Sequence, residues 1–251
     1  MNTLDFMIVG AQKSGTTALS EFLSEHPQIE IAAGKEAHVF DDSEFDEHWS
    51  TDEINLRYEG RFLSQDCCIK GEATPIYLYL PQIARRLRIY NSRLKLIVLL
   101  RDPVERAYSH YLMERSRGNE NLPYWLALLI EPLRLFRDRN MLSENSAVRR
   151  NSYRDRGFYG KQLHELFKEF PAFQILVLRT EELKNQHQET MTRVYGFLGV
   201  ESYRVQKREV FSQGSSIDEV PISSYFLRKS YRKDQIQLEK LLSSSLKSWR
   251  H

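Results

Sequence analysis

Apolar positions along the chain gather into short blocks separated by segments of helical spacing. Residues 4–9 form an apolar block that stops at Gly10, after which Ala18, Leu19, Phe22 and Leu23 recur every three or four positions until His26-Pro27. That order predicts strand, glycine turn, helix. Residues 94–100 (LKLIVLL) show no polar alternation, as a central parallel strand covered on both faces requires, and run into Arg101-Asp102-Pro103 and a helical pattern reaching about Arg117. A third block at 173–178 (FQILVL) lies between a predicted helix at 159–170 and another at about 186–198. Repeated strand-then-helix units predict a three-layer α/β fold with a central parallel sheet flanked by helices.

The remaining segments are less periodic. Residues 41–66, acidic and aromatic, read as a surface excursion after a short strand near 30–32. Residues 123–137 predict a helix, and the polar stretch at 141–157 reads as a mobile loop. In the tail, Ile236, Leu238, Leu241, Leu242 and Leu246 predict a closing helix over 234–249. No internal repeat interrupts the chain, and residues 1–251 read as one domain.

Composition narrows the function. With 36 basic and 34 acidic residues the net charge is +2, which gives no general drive toward nucleic acid but leaves room for a local basic pocket. Cys67 and Cys68 are adjacent, so they neither staple a long loop nor form a zinc site, and they read as reduced thiols. The N-terminal segment has no long apolar core behind a basic start, and no stretch approaches the roughly 18 apolar residues that span a bilayer. A full-length cytoplasmic protein without a membrane span is expected. Oligomeric state is left open.

The sharpest local signal is GAQKSGTT at 10–17, which directly follows a strand and opens a helix. Glycines let the backbone fold round an anion, and the helix N-terminus offers unpaired N–H groups. Lys13, Ser14, Thr16 and Thr17 add charge and hydroxyls beside Gly15. A phosphate site is expected. In a nucleoside-triphosphate loop the lysine follows the second glycine and precedes a magnesium-holding hydroxyl; here Thr16 takes that place and the lysine stands at 13. That weakens the rival reading, a magnesium-dependent nucleotide kinase or hydrolase. Asp102, between Arg101 and Pro103, reads as a helix cap rather than a metal ligand, and no metal site is expected.

GAQKSGTTAL together with LIVLLRDPVERAYSHY at 96–111 resembles the two nucleotide-binding boxes of sulfotransferases that use 3′-phosphoadenosine 5′-phosphosulfate. KEAHVFDD at 35–42, GEATPIYL at 71–78 and RGFYGKQLHELFKEFP at 156–171 are also similar to family segments, in the style of heparan sulfate sulfotransferases and bacterial sulfotransferase domains. The resemblance implies a P-loop-like fold. It also implies transfer of a sulfuryl group to a hydroxyl, less readily an amine, without a required metal, leaving 3′-phosphoadenosine 5′-phosphate. By the same resemblance Lys13 contacts the 5′-phosphate end, Arg101 and Ser109 hold the 3′-phosphate, and Tyr159 lies near adenine. A buried core role is the alternative for Tyr159.

Transfer needs a base, cations over the equatorial oxygens and a stabilised leaving phosphate. Glu36 matches the glutamate base of the heparan-type enzymes, and His38 is the competing base, or the two act as a pair. Two positions depart from the family. Ala73 stands where many members carry a lysine, which leaves open a nucleotide-binding module without catalysis. The C-terminal lid has only Lys207, Arg208 and the loop at 213–216 as candidates. The acceptor stays open among small molecules, polyketides, lipids and glycans.

Overall fold

The structure is a computed structural model that describes residues 3–34, 36–63, 69–138, 140, 143–206, 221–243, 246 and 249. These group into two compact units, one drawn from 1–100 and 165–212, the other from 101–164 and 213–251.

The first unit holds a five-stranded sheet: β1 (Phe6–Gly10), β2 (Ile29–Ile31), β3 (Ile69–Ala73), β4 (Lys95–Leu100) and β5 (Ile175–Arg179). Their order is β2-β3-β1-β4-β5, and every pairing is parallel. This is the predicted α/β arrangement. All five residues of β1 are buried, as expected for the strand at the centre of a covered parallel sheet. Phe6 lies opposite Gly71, where a Cβ would come within 2.4 Å of the Phe6 ring, so glycine is required for the strands to pack.

Helix α1 (Thr16–Ser24) buries Ala18, Leu19, Phe22 and Leu23, the apolar set of its sequence pattern, in a cluster with Phe6, Ile8, Ile97, Leu99 and Leu178. Met191, Val194, Tyr195 and Leu198 of the helix His187–Leu198 complete that core. Two elements fall inside the segment read as an excursion or just beyond it. Helix α2 (Thr51–Leu56) starts with a capping box in which Ser50 Oγ accepts from Glu53 N and Glu53 accepts from the Ser50 amide. Helix α3 (Pro81–Tyr90) begins with a proline at its first turn. Strand β3 itself, IKGEA, carries no strand-like alternation; its neighbours on both sides impose the conformation.

In the second unit, α4 (Pro103–Ser116) and α5 (Tyr124–Arg137) pack through Val104, Ala107, Tyr108, Tyr111, Tyr124, Ala127 and Leu128. The stretch at 141–157, read as a mobile loop, contains α6 (Ala147–Arg150) and a 3-10 turn at Asp155–Gly157. Arg156 is buried there and donates to Ser152 Oγ and to the Val148 and Arg149 carbonyls, which fixes the segment. Helix α7 is Tyr159–Glu169, and in the first unit a short α8 (Thr180–Asn185) precedes α9 (His187–Leu198). The closing helix α10 runs over Pro221–Leu242 and so starts well before the predicted 234. Among the described residues no helix is long and apolar enough to cross a membrane.

Candidate functional site

Glycine at position 10 lets β1 end against Leu78: a Cβ there would lie 2.5 Å from Leu78 Cβ. Gly15 adopts φ 93 and stands at the N-cap of α1, which has no side-chain cap and no acid in its first turn. The N-terminus of α1 is therefore not neutralised by its own sequence. Ser14 Oγ is buried and has no hydrogen-bond partner among the described residues. An uncapped helix start next to an orphaned hydroxyl fits a phosphate oxygen. Lys13 and Gly15 are half-buried, Thr16 is buried and Thr17 is exposed. The turn is braced from beneath: Ala11 N donates to Leu99 O, and Thr180 Oγ1 lies 2.6 Å from Ser14 O and 3.0 Å from Leu100 O. No pattern in the sequence points to Thr180.

Glu36 and His38 come together. His38 Nε2 is 3.2 Å from Glu36 Oε2, and its Nδ1 is 3.0 Å from the carboxylate of Asp41, which is buried. Burial lowers the proton affinity of the ring, but the hydrogen bonds with Asp41 and Glu36 outweigh it and push the pKa up to about 10. Around neutral pH the ring is an imidazolium between two carboxylates. Asp41 was not singled out in the sequence, although its three-residue spacing from His38 was visible.

The segment at 74–78 ties this array to the glycine turn. Leu78 N donates to Val9 O, Thr74 N donates to Ile8 O, and the Phe40 amide donates to Tyr77 Oη at 3.1 Å. Arg86 Nη1 donates to the Phe40 carbonyl, so the residue before Asp41 is held on both sides of its peptide. Behind the array stands Glu72, 1 % exposed, with neither carboxylate oxygen in a hydrogen bond of normal geometry. Burial pushes its pKa up to about 7, partly offset by the hydroxyls of Tyr58 and Tyr77. Ala73 belongs to the core cluster of the sheet and is paired with Ile8, so a lysine at this position would place its stem in apolar surroundings.

Arg101, Ser109 and Tyr159 belong to the second unit. Arg101 is half-buried, and its Nε and Nη2 donate to Glu105 Oε2 at 3.0 and 2.8 Å. Ser109 is half-buried on α4. Tyr159 is 1 % exposed, lies beside Trp249, and donates its hydroxyl to the Arg101 carbonyl at 3.0 Å. The ring is packed away, and the hydroxyl supports the Arg101 backbone. Asp102 caps α4 through Val104 N and Glu105 N, as its sequence context indicates, and pairs with Arg228. Its pKa is raised by burial, against the pull of Arg228 and those amides. Lys35, the two cysteines and the lid candidates Lys207, Arg208 and 213–216 lie outside the described residues. A cavity of 480 Å³ at the α8–α9 turn is lined by residues 183–189 and includes none of the site residues.

A parallel α/β sheet whose first strand leads through a glycine turn into an uncapped helix defines the class of P-loop-like α/β folds. Within that class the chain belongs to the sulfotransferase domain family, which it matches over residues 3–218. It is 32% identical over 211 residues to heparan sulfate glucosamine 3-O-sulfotransferase 3A1 of Mus musculus, covering 82% of this chain and 48% of that protein. The 3B1 enzyme of Homo sapiens is 30% identical over 210 residues, with 82% and 49% covered. The chain spans about half the length of these curated relatives. Among solved structures, a sulfotransferase from Alicyclobacillus acidocaldarius superposes with a TM-score of 0.81 at 28% identity over 100% of both chains. The sulfotransferase domain from the curacin biosynthetic pathway, at 15% identity and a TM-score of 0.54, covers 98% of this chain and 99% of its own and shares the fold.

Proposed function

We propose that the chain transfers a sulfuryl group from 3′-phosphoadenosine 5′-phosphosulfate to a hydroxyl acceptor, with Glu36 as the base. The observation that carries the choice of base is the position of His38. Both ring nitrogens face carboxylates and the ring holds its proton to about pH 10, so it has no free lone pair to accept another at neutral pH. Glu36 is then the proton acceptor, and His38, fixed by Asp41, orients it.

The donor supplies an activated sulfur whose leaving group is a phosphate. The glycine turn, Ser14 and the N-terminus of α1 bind that phosphate end, and Lys13 places its charge there. Glu36 takes the acceptor's proton as the acceptor oxygen bonds to sulfur; the sulfur–oxygen bond to the 5′-phosphate breaks, and its electron pair stays with the leaving phosphate. Arg101 and Ser109 carry the 3′-phosphate by the match of their segment to the family's second box. Exchanging Glu105 for that phosphate would leave the Arg101 guanidinium paired throughout. A glycan hydroxyl is the first acceptor to test, because the relatives at 30–32% identity are named as glucosamine 3-O-sulfotransferases.

Calorimetry with 3′-phosphoadenosine 5′-phosphate in the presence of a chelator tests the donor assignment, and transfer from sulfur-labelled donor across glycan, lipid, polyketide and small-molecule acceptors tests the reaction. Binding of ATP with magnesium in preference to the bisphosphate would sink it.

A further inference from the structure

Helix α10 turns a face to solvent that its own packing does not use. Ser223, Leu227, Tyr231, Gln235 and Leu238 are buried at four- and three-residue steps. On the other side Ile222, Tyr225 and Phe226 are 73, 66 and 65% exposed, and Ile236 is 43% exposed. The exposed charged positions of the helix are Lys229, Arg232, Lys233 and Lys240, all cationic. Its two acids are engaged elsewhere: Asp234 accepts from the amides of Gly160 and Lys161, and Glu239 accepts from Leu246 N. The whole chain carries 34 acidic residues against 36 basic, so a long helix exposing only cations is a property of its position and not of the composition.

Ile222, Phe226, Lys229, Lys233, Ile236 and Lys240 fall on one side of the helix, with aromatic and apolar side chains concentrated toward its N-terminal end. We infer that α10 docks on an anionic lipid surface, with Ile222, Tyr225 and Phe226 at the headgroup–acyl boundary and the cations on lipid phosphates. A second copy of the chain fits poorly, since it would bring one cationic face against another. A soluble polyanion would satisfy the cations but leaves three large apolar side chains in water. The solvent face of α5, with Trp125, Leu129 and Leu133 exposed, is nearly uncharged and takes no part in this assignment.

Sedimentation of the full chain with vesicles tests it, comparing phosphatidylcholine alone with phosphatidylcholine containing phosphatidylglycerol. The anionic vesicles should pull the chain down and the neutral ones should not, and binding should fall as salt rises. The variant Lys229→Glu/Arg232→Glu/Lys233→Glu should lose at least about a hundredfold in vesicle affinity, since removing each cation costs about fivefold and the glutamate in its place adds repulsion. The variant Ile222→Ser/Tyr225→Ser/Phe226→Ser, its charges intact, should also lose binding. Unchanged melting temperatures and helical content would show that both variants fold. The inference is overturned if the wild type ignores anionic vesicles, if charge reversal leaves binding intact, or if the apolar variant binds like the wild type, which would make the face a plain polyanion site.

Discussion

Thr180 and Ser14 stand 166 positions apart in the chain, yet the threonine hydroxyl lies 2.6 Å from the serine carbonyl. The same hydroxyl is 3.0 Å from the Leu100 carbonyl, so one side chain holds the glycine turn to the end of β4. Thr180→Val keeps the shape and removes the donor. It should weaken binding of 3′-phosphoadenosine 5′-phosphate by about tenfold, the scale of one hydrogen bond inside a buried site. Thr180→Ser should restore it. If the valine variant binds the nucleotide like the wild type while the wild type binds well, the brace has no role in donor affinity. If the wild type does not bind, the donor assignment itself fails.

The pair of His38 with Glu36 gives a second test. Glu36→Gln should cut transfer by about two to four orders of magnitude, the usual weight of a general base, and leave nucleotide affinity unchanged. His38→Asn should lower the rate less and move its pH profile, because the base loses its cationic partner. A stability consequence follows from the raised pKa. The folded chain keeps the His38 proton to about pH 10, against 6.5 for the free side chain, so the pairing stabilises fully below about 6.5 and is lost as pH rises through 10. Urea denaturation of wild type and His38→Asn at pH 6 and pH 10 should show the wild-type advantage shrinking; an advantage that stays constant would refute the imidazolium assignment. Side-chain exposure of 42% keeps the effect modest, since water screens the pair.

Two glycines separate crowding from backbone freedom. A Cβ on Gly10 meets Leu78 Cβ at 2.5 Å and Leu78 Cδ2 at 2.8 Å, so Gly10→Ala must displace the segment that also carries Tyr77. It should cost about 1–3 kcal/mol in stability and weaken nucleotide binding. A Cβ on Gly196, in the last turn of α9, meets nothing within 4 Å. Gly196→Ala should be neutral or stabilise by about 0.5–1 kcal/mol. Thermal melts of the two variants decide it, and a Gly10→Ala chain as stable as the wild type would refute the packing argument.

Much of the sheet was legible because β1, β4 and β5 are unbroken apolar blocks whose burial pattern is their own. β3 was not, since Lys70, Gly71 and Glu72 break the pattern and the strand exists only through pairing with β1 and β2. Helix α2 carried a readable capping box in Ser50 and Glu53 that the acidic, aromatic character of the segment obscured. At the site, the glycine turn and the Glu36–His38 pair could be read locally. Asp41 could have been found from its spacing, whereas Thr180 and Tyr77 act through contacts between residues distant in sequence, and no periodicity reports those.

Glu72 offers the last test, because it is buried and its neighbours in the sequence, Gly71 and Ala73, carry no charge. Burial raises its pKa from 4.5 to about 7, the Tyr58 and Tyr77 hydroxyls offsetting only part of the cost. Between those values the folded chain binds a proton that the unfolded chain has released, so stability falls as pH rises through that window and stays lower above it. Glu72→Gln removes the ionisation. The variant should match the wild type below about pH 4.5 and exceed it at pH 8, with a ceiling of about 3 kcal/mol. Denaturant titrations at the two pH values measure the difference. A gap independent of pH would mean that Glu72 does not titrate in this range. A variant less stable at pH 8 would mean that the ionised carboxylate is favourably held by Tyr58 and Tyr77, and that these hydroxyls, which reach the Phe40 amide through Tyr77, support the Glu36–His38–Asp41 array by holding a charge rather than a neutral acid.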